Sequence, residues 1–101
     1  MVNILLCCSA GMSTSLMVSK MQASAAERGI EANIWAVPEA EAQANADKAD
    51  VILLGPQVRF LLDKIKAVAG DTPVDVIDMM AYGMMDGAKV LDQGLKLIGH
   101  E

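Results

Sequence analysis

Four short, mostly apolar runs recur along the sequence, and a segment with helical character follows each of them. Runs of this length that lack regular polar alternation are typical of strands buried on both faces. Strands that alternate with helices predict a parallel sheet, because right-handed crossovers place the helices over both faces. We therefore predict an α/β fold with a four-stranded parallel sheet in a three-layer sandwich. The predicted strands are residues 2–7, 32–37, 51–54 and 74–77.

The segments between these runs carry the helix signals. After the first run, Met17, Met21 and Ala25 recur on one face of a helix. Ser13 is a candidate N-cap for this helix, and Gly29 is its predicted stop. The other predicted helices are a short one within residues 38–47, one that follows Gly55-Pro56 and ends at Gly70, and a last one capped by Asp86 and ended by Gly99.

Size and charge narrow the classes of function. The 101 residues, 53% hydrophobic and 21% charged, suit a single domain over residues 1–101. A net charge of −5 with scattered Lys and Arg argues against nucleic acid or anionic lipid as a direct ligand. The first nineteen residues carry no charged side chain, but Asn3 and Ser9 interrupt them and no Lys or Arg precedes them. We therefore expect neither a signal peptide nor direct membrane insertion, and we predict a cytoplasmic protein.

The segment between the first strand and the first helix, residues 8–15, consists mostly of small residues. In parallel sheets the carboxyl ends of the strands form the binding edge, so this segment is expected at that edge. Successive backbone N–H groups of such a turn can surround an anion, and the helix dipole adds to the attraction. The same field favours a thiolate over a thiol, which makes Cys8 a candidate nucleophile. The candidate phosphate-binding residues are Ser9, Ala10, Gly11, Met12, Ser13 and Thr14.

On pattern alone, a second interpretation of this segment stays open. A free cysteine is often a small packed residue, and the turn then has no chemical role. Cys7 and Cys8 are adjacent, which is poor geometry for a structural disulfide and compatible with a reducing compartment.

A resemblance to a known family favours the chemical interpretation. Residues 8–15, the Gly55-Pro56-Gln57 turn, and Val76-Ile77-Asp78 followed by Tyr82-Gly83 resemble the enzyme IIB subunits of the lactose, cellobiose and chitobiose branch of the bacterial phosphoenolpyruvate-dependent sugar phosphotransferase system. The similarity extends through nearly the whole chain. It implies a flavodoxin-like or phosphatase-like sandwich with strand order 2-1-3-4.

The same resemblance implies a function and two partners. A cysteine accepts phosphate from the phosphohistidine of a IIA protein and passes it to a diglycoside bound in the membrane permease IIC. The matching position here is Cys8. Cys7 stands where the family has a bulky apolar residue, so we expect it to pack in the core. Association with the membrane is then peripheral, through the permease.

Several other residues are candidates for contact with phosphate or a partner. Gln57, Arg59 and Tyr82 follow strands that end at the same edge, although a solvated helix face or a plain turn explains each of them as well. His100 lies next to the terminus and is expected to be part of a frayed tail. Five methionines in predicted loops at this edge should be more exposed than Met17 and Met21, and flexible thioethers suit docking of two partners. They are Met12, Met79, Met80, Met84 and Met85.

Other functions of similar folds require residues that this sequence lacks or offers only in part. Low-molecular-weight phosphatases and arsenate reductases use a cysteine loop closed by Arg at the sixth position after the cysteine, where this chain has Thr14. A receiver domain needs an acidic pair after the first strand, and the chain has Cys8-Ser9 there. A flavin would have to stack on Trp35, Phe60 or Tyr82, and it would colour the purified protein. The sequence has no nucleotide-binding glycine motif and no Cys/His cluster, so we expect no cofactor and no metal.

Overall fold

A computed structural model describes residues 1–8 and 11–99 of the chain. Its four strands form one parallel sheet in the order β2-β1-β3-β4, which confirms the predicted fold class and strand order. The strand β1 lies in the interior of the sheet, between β2 and β3. The strands are β1 (Val2–Cys8), β2 (Ala32–Pro38), β3 (Val51–Leu54) and β4 (Val74–Val76).

Helices connect the strands at each crossover. Two 3₁₀ segments, Glu39–Glu41 and Pro56–Leu61, precede the second and third α-helices. The first and last helices end before Gly29 and Gly99, as the sequence predicts. The α-helices are α1 (Gly11–Glu27), α2 (Ala42–Ala46), α3 (Leu62–Ala69), α4 (Met79–Gly83) and α5 (Gly87–Leu97).

Two separate cores cover the two faces of the sheet. On one face, α1, α4 and α5 pack against side chains such as Ile4 and Leu6 of β1. On the other face, α2, α3 and the 3₁₀ segment before α3 pack against Leu5 and Cys7. Successive side chains of a strand leave on opposite faces, so β1 contributes alternate residues to the two cores. This arrangement explains why the run 2–7 is apolar almost throughout.

The two long helices of the first face approach each other closely at Gly87, the first residue of α5. A Cβ atom at this position would lie 2.6 Å from the backbone carbonyl carbon of Lys20 in α1. Any other residue would therefore push the two helices apart. Asp86 caps α5 as predicted, and its carboxylate accepts a hydrogen bond of 3.2 Å from the backbone N–H of Lys89.

Two predictions about local structure are wrong. The helix α1 begins at Gly11, so Ser13 lies inside its first turn and is not the N-cap; only residues 9–10 separate β1 from α1. The small residues of this segment have weak helix propensity and no apolar periodicity. The sequence pattern therefore predicts a helix that begins later than α1 does. Met79 and Met80, assigned to a loop, begin the short helix α4, which Asp78 caps through the N–H of Ala81 at 3.0 Å.

Candidate functional site

The site lies at the carboxyl edge of the sheet, where β1 ends at Cys8 and α1 begins three residues later. In the register of the sheet, Cys8 is aligned with Pro38, and the Gly55 N–H donates to the Cys7 carbonyl oxygen at 3.0 Å. The backbone N–H groups in the first turn of a helix have no acceptor within the helix. These groups of α1 and the positive end of its dipole are therefore close in sequence to the Cys8 side chain.

Cys8 is nearly covered, with 2% of its surface exposed. The Thr14 hydroxyl donates a hydrogen bond to the Cys8 sulfur, with Oγ1 and Sγ 2.6 Å apart. Thr14 is itself 1% exposed, and it lies in the first turns of α1. The sulfur is thus fixed by a side chain that the start of α1 positions. The sequence predicts Thr14 only as part of the phosphate cradle and gives no signal for this contact.

Cys7 has different surroundings. It is fully buried among the side chains between the sheet and the helices α2 and α3. Burial, followed by electrostatic repulsion from Cys8 and Glu39, raises the pKa of the Cys7 thiol to about 11. The thiol is therefore protonated and inert at neutral pH. The expectation that Cys7 packs in the core is confirmed.

Two of the three candidate contact residues meet each other at this edge. The Tyr82 hydroxyl lies 3.5 Å from Thr14 Oγ1, and the Gln57 side-chain amide donates to the Tyr82 hydroxyl oxygen at 3.3 Å. Gln57 is exposed and Tyr82 is partly buried. The residues that follow β1, β3 and β4 are therefore linked in one network around Cys8.

The third candidate, Arg59, is exposed and bonds within its own segment. Its guanidinium donates to the Pro56 carbonyl oxygen at 3.3 Å. Among the predicted phosphate-binding residues, Ser9 and Ala10 lie outside the described residues, as does His100. Gly11, Met12 and Ser13 form the start of α1, and their side chains lie outside the description.

The sequence gives no signal for the contacts that hold the segment of Tyr82 in place. The Gln93 side chain of α5 donates to the Val76 carbonyl oxygen at 2.7 Å and accepts from the Asp78 N–H at 3.0 Å. Asp78 in turn caps α4, which carries Tyr82. Asp78 is a recognisable cap residue in the sequence, but Gln93 lies fifteen residues further on and gives no local signal.

Exposed apolar side chains occupy the elements that form this edge. The prediction of exposed methionines is confirmed for Met79, Met80 and Met84, whereas Met17 and Met21 are fully buried. Large apolar residues are rarely exposed in number without a reason, and here they lie on α1, the 3₁₀ segment before α3, and α4 and the turn that follows it. Their exposed fractions are 49% for Leu16, 76% for Phe60, 61% for Met79, 71% for Met80 and 69% for Met84.

This geometry suits a nucleophile that carries a group and releases it. It offers one sulfur, a hydroxyl donor on that sulfur, and the amino end of a helix. The position six residues after Cys8 is the buried Thr14, so the arginine that clamps phosphate in cysteine phosphatases has no counterpart at that position. Within the described parts of the chain, no helix has the length and apolar character that crossing a bilayer requires.

Comparison with known proteins gives the family. A family model described as "PTS system, Lactose/Cellobiose specific IIB subunit" matches residues 3–93. The oligo-beta-mannoside-specific EIIB component of Bacillus subtilis (strain 168) is 50% identical over 100 residues, covering 97% of both chains. The galactose-specific EIIB component of Lactococcus lactis subsp. cremoris (strain MG1363) is 50% identical over 95 residues, covering 87% of this chain and 88% of its own.

Solved structures agree. The solution structure of a cellobiose-specific phosphotransferase IIB component from Borrelia burgdorferi is 36% identical, with a TM-score of 0.80 over 96% of this chain and 91% of that one. The lactose-specific IIB domain of Streptococcus pneumoniae has a TM-score of 0.85 over 95% and 96% of the two chains at 17% identity, which shows the shared fold alone. This chain therefore belongs to the lactose/cellobiose-specific IIB subunits of the phosphotransferase system, which are phosphotransferases.

Proposed function

We propose that the chain is a single-domain phosphoryl carrier, residues 1–101, with Cys8 as the phosphorylated residue. The observation that carries this assignment is the contrast between the two cysteines. Cys8 lies at the carboxyl edge beside the start of α1 and accepts a hydrogen bond from Thr14. Cys7 faces the opposite core, where its thiol stays protonated at neutral pH. The proposed cradle for the phosphoryl oxygens is formed by Ser9, Ala10, Gly11, Met12, Ser13 and Thr14.

The carrier would take its phosphate from the phosphohistidine of a IIA protein. The Cys8 sulfur attacks phosphorus, an S–P bond forms, and the N–P bond breaks. The imidazole nitrogen keeps the bonding electron pair. The proton that the Cys8 thiol loses is balanced by a proton taken up by the imidazole. Helix N-terminal N–H groups stabilise the equatorial oxygens as the group passes through its transition state. The proposed transfer uses no cofactor and no metal.

The second transfer delivers the phosphate to a sugar bound in the membrane permease IIC. A sugar hydroxyl oxygen attacks phosphorus, the S–P bond breaks, and sulfur keeps the electron pair. The hydroxyl proton is released and the thiolate regains a proton, so the carrier returns to its starting state. In this proposal, the Thr14 hydroxyl, which donates to the Cys8 sulfur, stabilises the charge that develops on that sulfur as it departs.

The exposed apolar residues support the proposal that two partners dock here in turn. Leu16, Phe60 and Met79 lie on the three elements that Thr14, Gln57 and Tyr82 join around Cys8. Apolar and methionine-rich surfaces adapt to more than one partner. The relatives are named for oligo-beta-mannoside, galactose and cellobiose. We propose a diglycoside of the cellobiose, chitobiose or lactose type as the sugar, with the carrier at the cytoplasmic side of the permease.

The assignment is tested by phosphorylating wild type, Cys8→Ser and Cys7→Ser with a phosphorylated IIA protein and mapping the modified residue by mass spectrometry. We expect one phosphate on Cys8 in wild type and in Cys7→Ser, and none on Cys8→Ser. The two variants are a matched pair, because they make the same change in consecutive residues. Full acceptance by Cys8→Ser, or its loss in a folded Cys7→Ser, contradicts the assignment.

A further inference from the structure

Four side chains, each from a different element of the fold, form a chain of hydrogen bonds that ends at the Cys8 sulfur. Gln57 contacts the Tyr82 hydroxyl at 3.3 Å, Tyr82 lies 3.5 Å from the Thr14 hydroxyl, and Thr14 contacts Cys8 Sγ at 2.6 Å. These residues follow β3, β4 and β1 respectively. The chain therefore couples the Cys8 sulfur to the other two segments of the carboxyl edge.

The hydrogen-bonding capacity of these groups gives the chain a direction. The Gln57 amide nitrogen only donates, so the Tyr82 oxygen accepts at that contact. The Thr14 hydroxyl has a single proton, which it donates to the Cys8 sulfur, so at the 3.5 Å contact its oxygen accepts and Tyr82 is the donor. Every donor in the chain then points towards Cys8. Hydrogen bonds that share a direction polarise one another.

Without a donor on its oxygen, the Thr14 hydroxyl is free to rotate its proton away from the Cys8 sulfur. A threonine inside a helix commonly donates to a backbone carbonyl of the preceding turn. Thr14 is in the first turns of α1 and is 1% exposed, so water does not hold its proton in place. A donor on the Thr14 oxygen from the side of Tyr82 favours the rotamer in which the proton faces Cys8.

We propose that Tyr82 and Gln57 are positioning residues that hold the Thr14 hydroxyl on the Cys8 sulfur. Neither touches the sulfur, and no proton moves along the chain. The consequence for transfer rests on the proposed function: when the S–P bond breaks, sulfur keeps the electron pair, and the oriented hydroxyl stabilises that charge. The unphosphorylated carrier is stabilised in the same way, which favours release of the phosphate to the sugar.

Gly55 is part of the same arrangement. Its backbone, with φ −60° and ψ 146°, suits any residue, but a Cβ there would lie 2.7 Å from Gln57 Oε1. The nearest Cys8 atom would be at an ordinary 3.5 Å. Gly55→Ala therefore displaces the flexible end of Gln57 and leaves the Cys8 backbone alone. It is a second way to break the chain, independent of Tyr82.

The test is the pH profile of Cys8 alkylation by iodoacetamide, followed by peptide mapping, in wild type, Tyr82→Phe, Gly55→Ala, Thr14→Val and Thr14→Ser. A net hydrogen bond is worth a factor of about two to ten, so Tyr82→Phe should move the midpoint to higher pH by roughly 0.3 to 1 unit. Thr14→Val should shift it at least as far, and Thr14→Ser should restore it. Thr72→Val, which deletes a threonine hydroxyl in the turn after α3, is the matched control.

The charged side chains around this edge, Glu39, Arg59 and Asp78, are the same in all these variants, so they cancel in the comparison. A Tyr82→Phe profile that overlays wild type while Thr14→Val shifts would overturn the proposal. If Tyr82→Phe loses its fold by circular dichroism, Gly55→Ala decides: a shifted profile supports the chain and an unchanged one overturns it.

The phosphoryl assay separates this proposal from the proposed function. With phosphorylated IIA, Tyr82→Phe should shift the equilibrium towards phosphorylated Cys8 by the same factor of about two to ten. If wild type accepts no phosphate, the proposed function is wrong, and the alkylation profiles still decide whether Tyr82 and Gln57 position Thr14. An equilibrium that is unchanged in Tyr82→Phe, with wild type active, contradicts the positioning role.

Discussion

Cys7 and Cys8 are consecutive residues of one strand, yet their side chains enter different regions of the molecule. Cys7 lies in the apolar core under the short helices α2 and α3. Cys8 lies on the opposite face, where the start of α1 supplies a hydroxyl to its sulfur. The difference teaches that the pleat of the strand, rather than the residue type, decides which thiol is available for chemistry.

The largest expected effect is on reactivity. Because burial raises the pKa of the Cys7 thiol to about 11, its thiolate fraction at neutral pH is roughly 10²–10³-fold below that of an ordinary cysteine. We expect iodoacetamide at pH 7.5 to modify Cys8 and leave Cys7 unmodified until the protein is unfolded in urea. Peptide mapping checks this. Equal labelling of the two residues in the folded protein would break the comparison.

The second prediction concerns stability at alkaline pH. In the folded state Cys7 keeps its proton up to about pH 11, whereas an unfolded thiol loses it near its ordinary value of 9.0. The unfolded state therefore binds fewer protons between these values, and the contribution of Cys7 to the free energy of unfolding falls by roughly 2 kcal/mol as the pH rises from 9 to 11.

Cys7→Ala is the control for this alkaline loss. The variant should be less stable at neutral pH, because a buried sulfur is replaced by a small void, but its slope between pH 9 and 11 should be shallower than that of wild type. Urea denaturation at a series of pH values measures both. Identical slopes for the two proteins would show that Cys7 titrates as it does in the unfolded chain.

The third prediction tests the close approach of α5 to α1, the helix that carries Thr14. Gly87→Ala places a methyl group 2.6 Å from the Lys20 backbone and forces α5 away from α1. We expect a loss of about 1–3 kcal/mol in the free energy of unfolding, measured with urea. Gly83→Ala is the matched control, since a Cβ at that position meets no atom within 4 Å. Equal effects of the two changes would contradict the close approach of the helices.

The smallest expected effect comes from the helix cap beside the site. Asp78→Ala removes the acceptor for the Ala81 N–H and should cost about 1 kcal/mol, whereas Asp78→Asn should retain most of the cap. Since α4 carries Tyr82, the alanine variant should also shift the Cys8 alkylation profile in the same direction as Tyr82→Phe. If Asp78→Asn shifts the alkylation profile as far as Asp78→Ala does, loss of the helix cap is not the cause of the shift.

Much of the fold follows from local sequence signals. The apolar run 51–54 matches β3 residue for residue, and Asp86 and Gly99 bound α5 as predicted. The start of α1 and the whole of α4 did not follow, because small residues give no periodicity and five residues are too few to show one. Short elements of this kind depend on tertiary contacts and caps rather than on pattern.

The sequence predicts the position of Cys8 in the candidate site but not the contacts around it. The position of Cys8 at the edge follows from the alternation of strands and helices, and the choice of Cys8 over Cys7 follows from the family resemblance. The network that joins Gln57, Tyr82 and Thr14 did not follow, since these residues are far apart in sequence and meet only when β3 and β4 are in place. Local patterns carry no information about such contacts.

The Gln93 side chain also has a consequence for the behaviour of this protein in concentrated solution. β4 is an edge strand, and an edge strand with open N–H and C=O groups can pair with a second molecule and start aggregation. The side-chain amide of Gln93 donates to the Val76 carbonyl oxygen and accepts from the Asp78 N–H, as the backbone of a neighbouring strand would. One glutamine on α5 thus shields the end of the edge from intermolecular β-pairing.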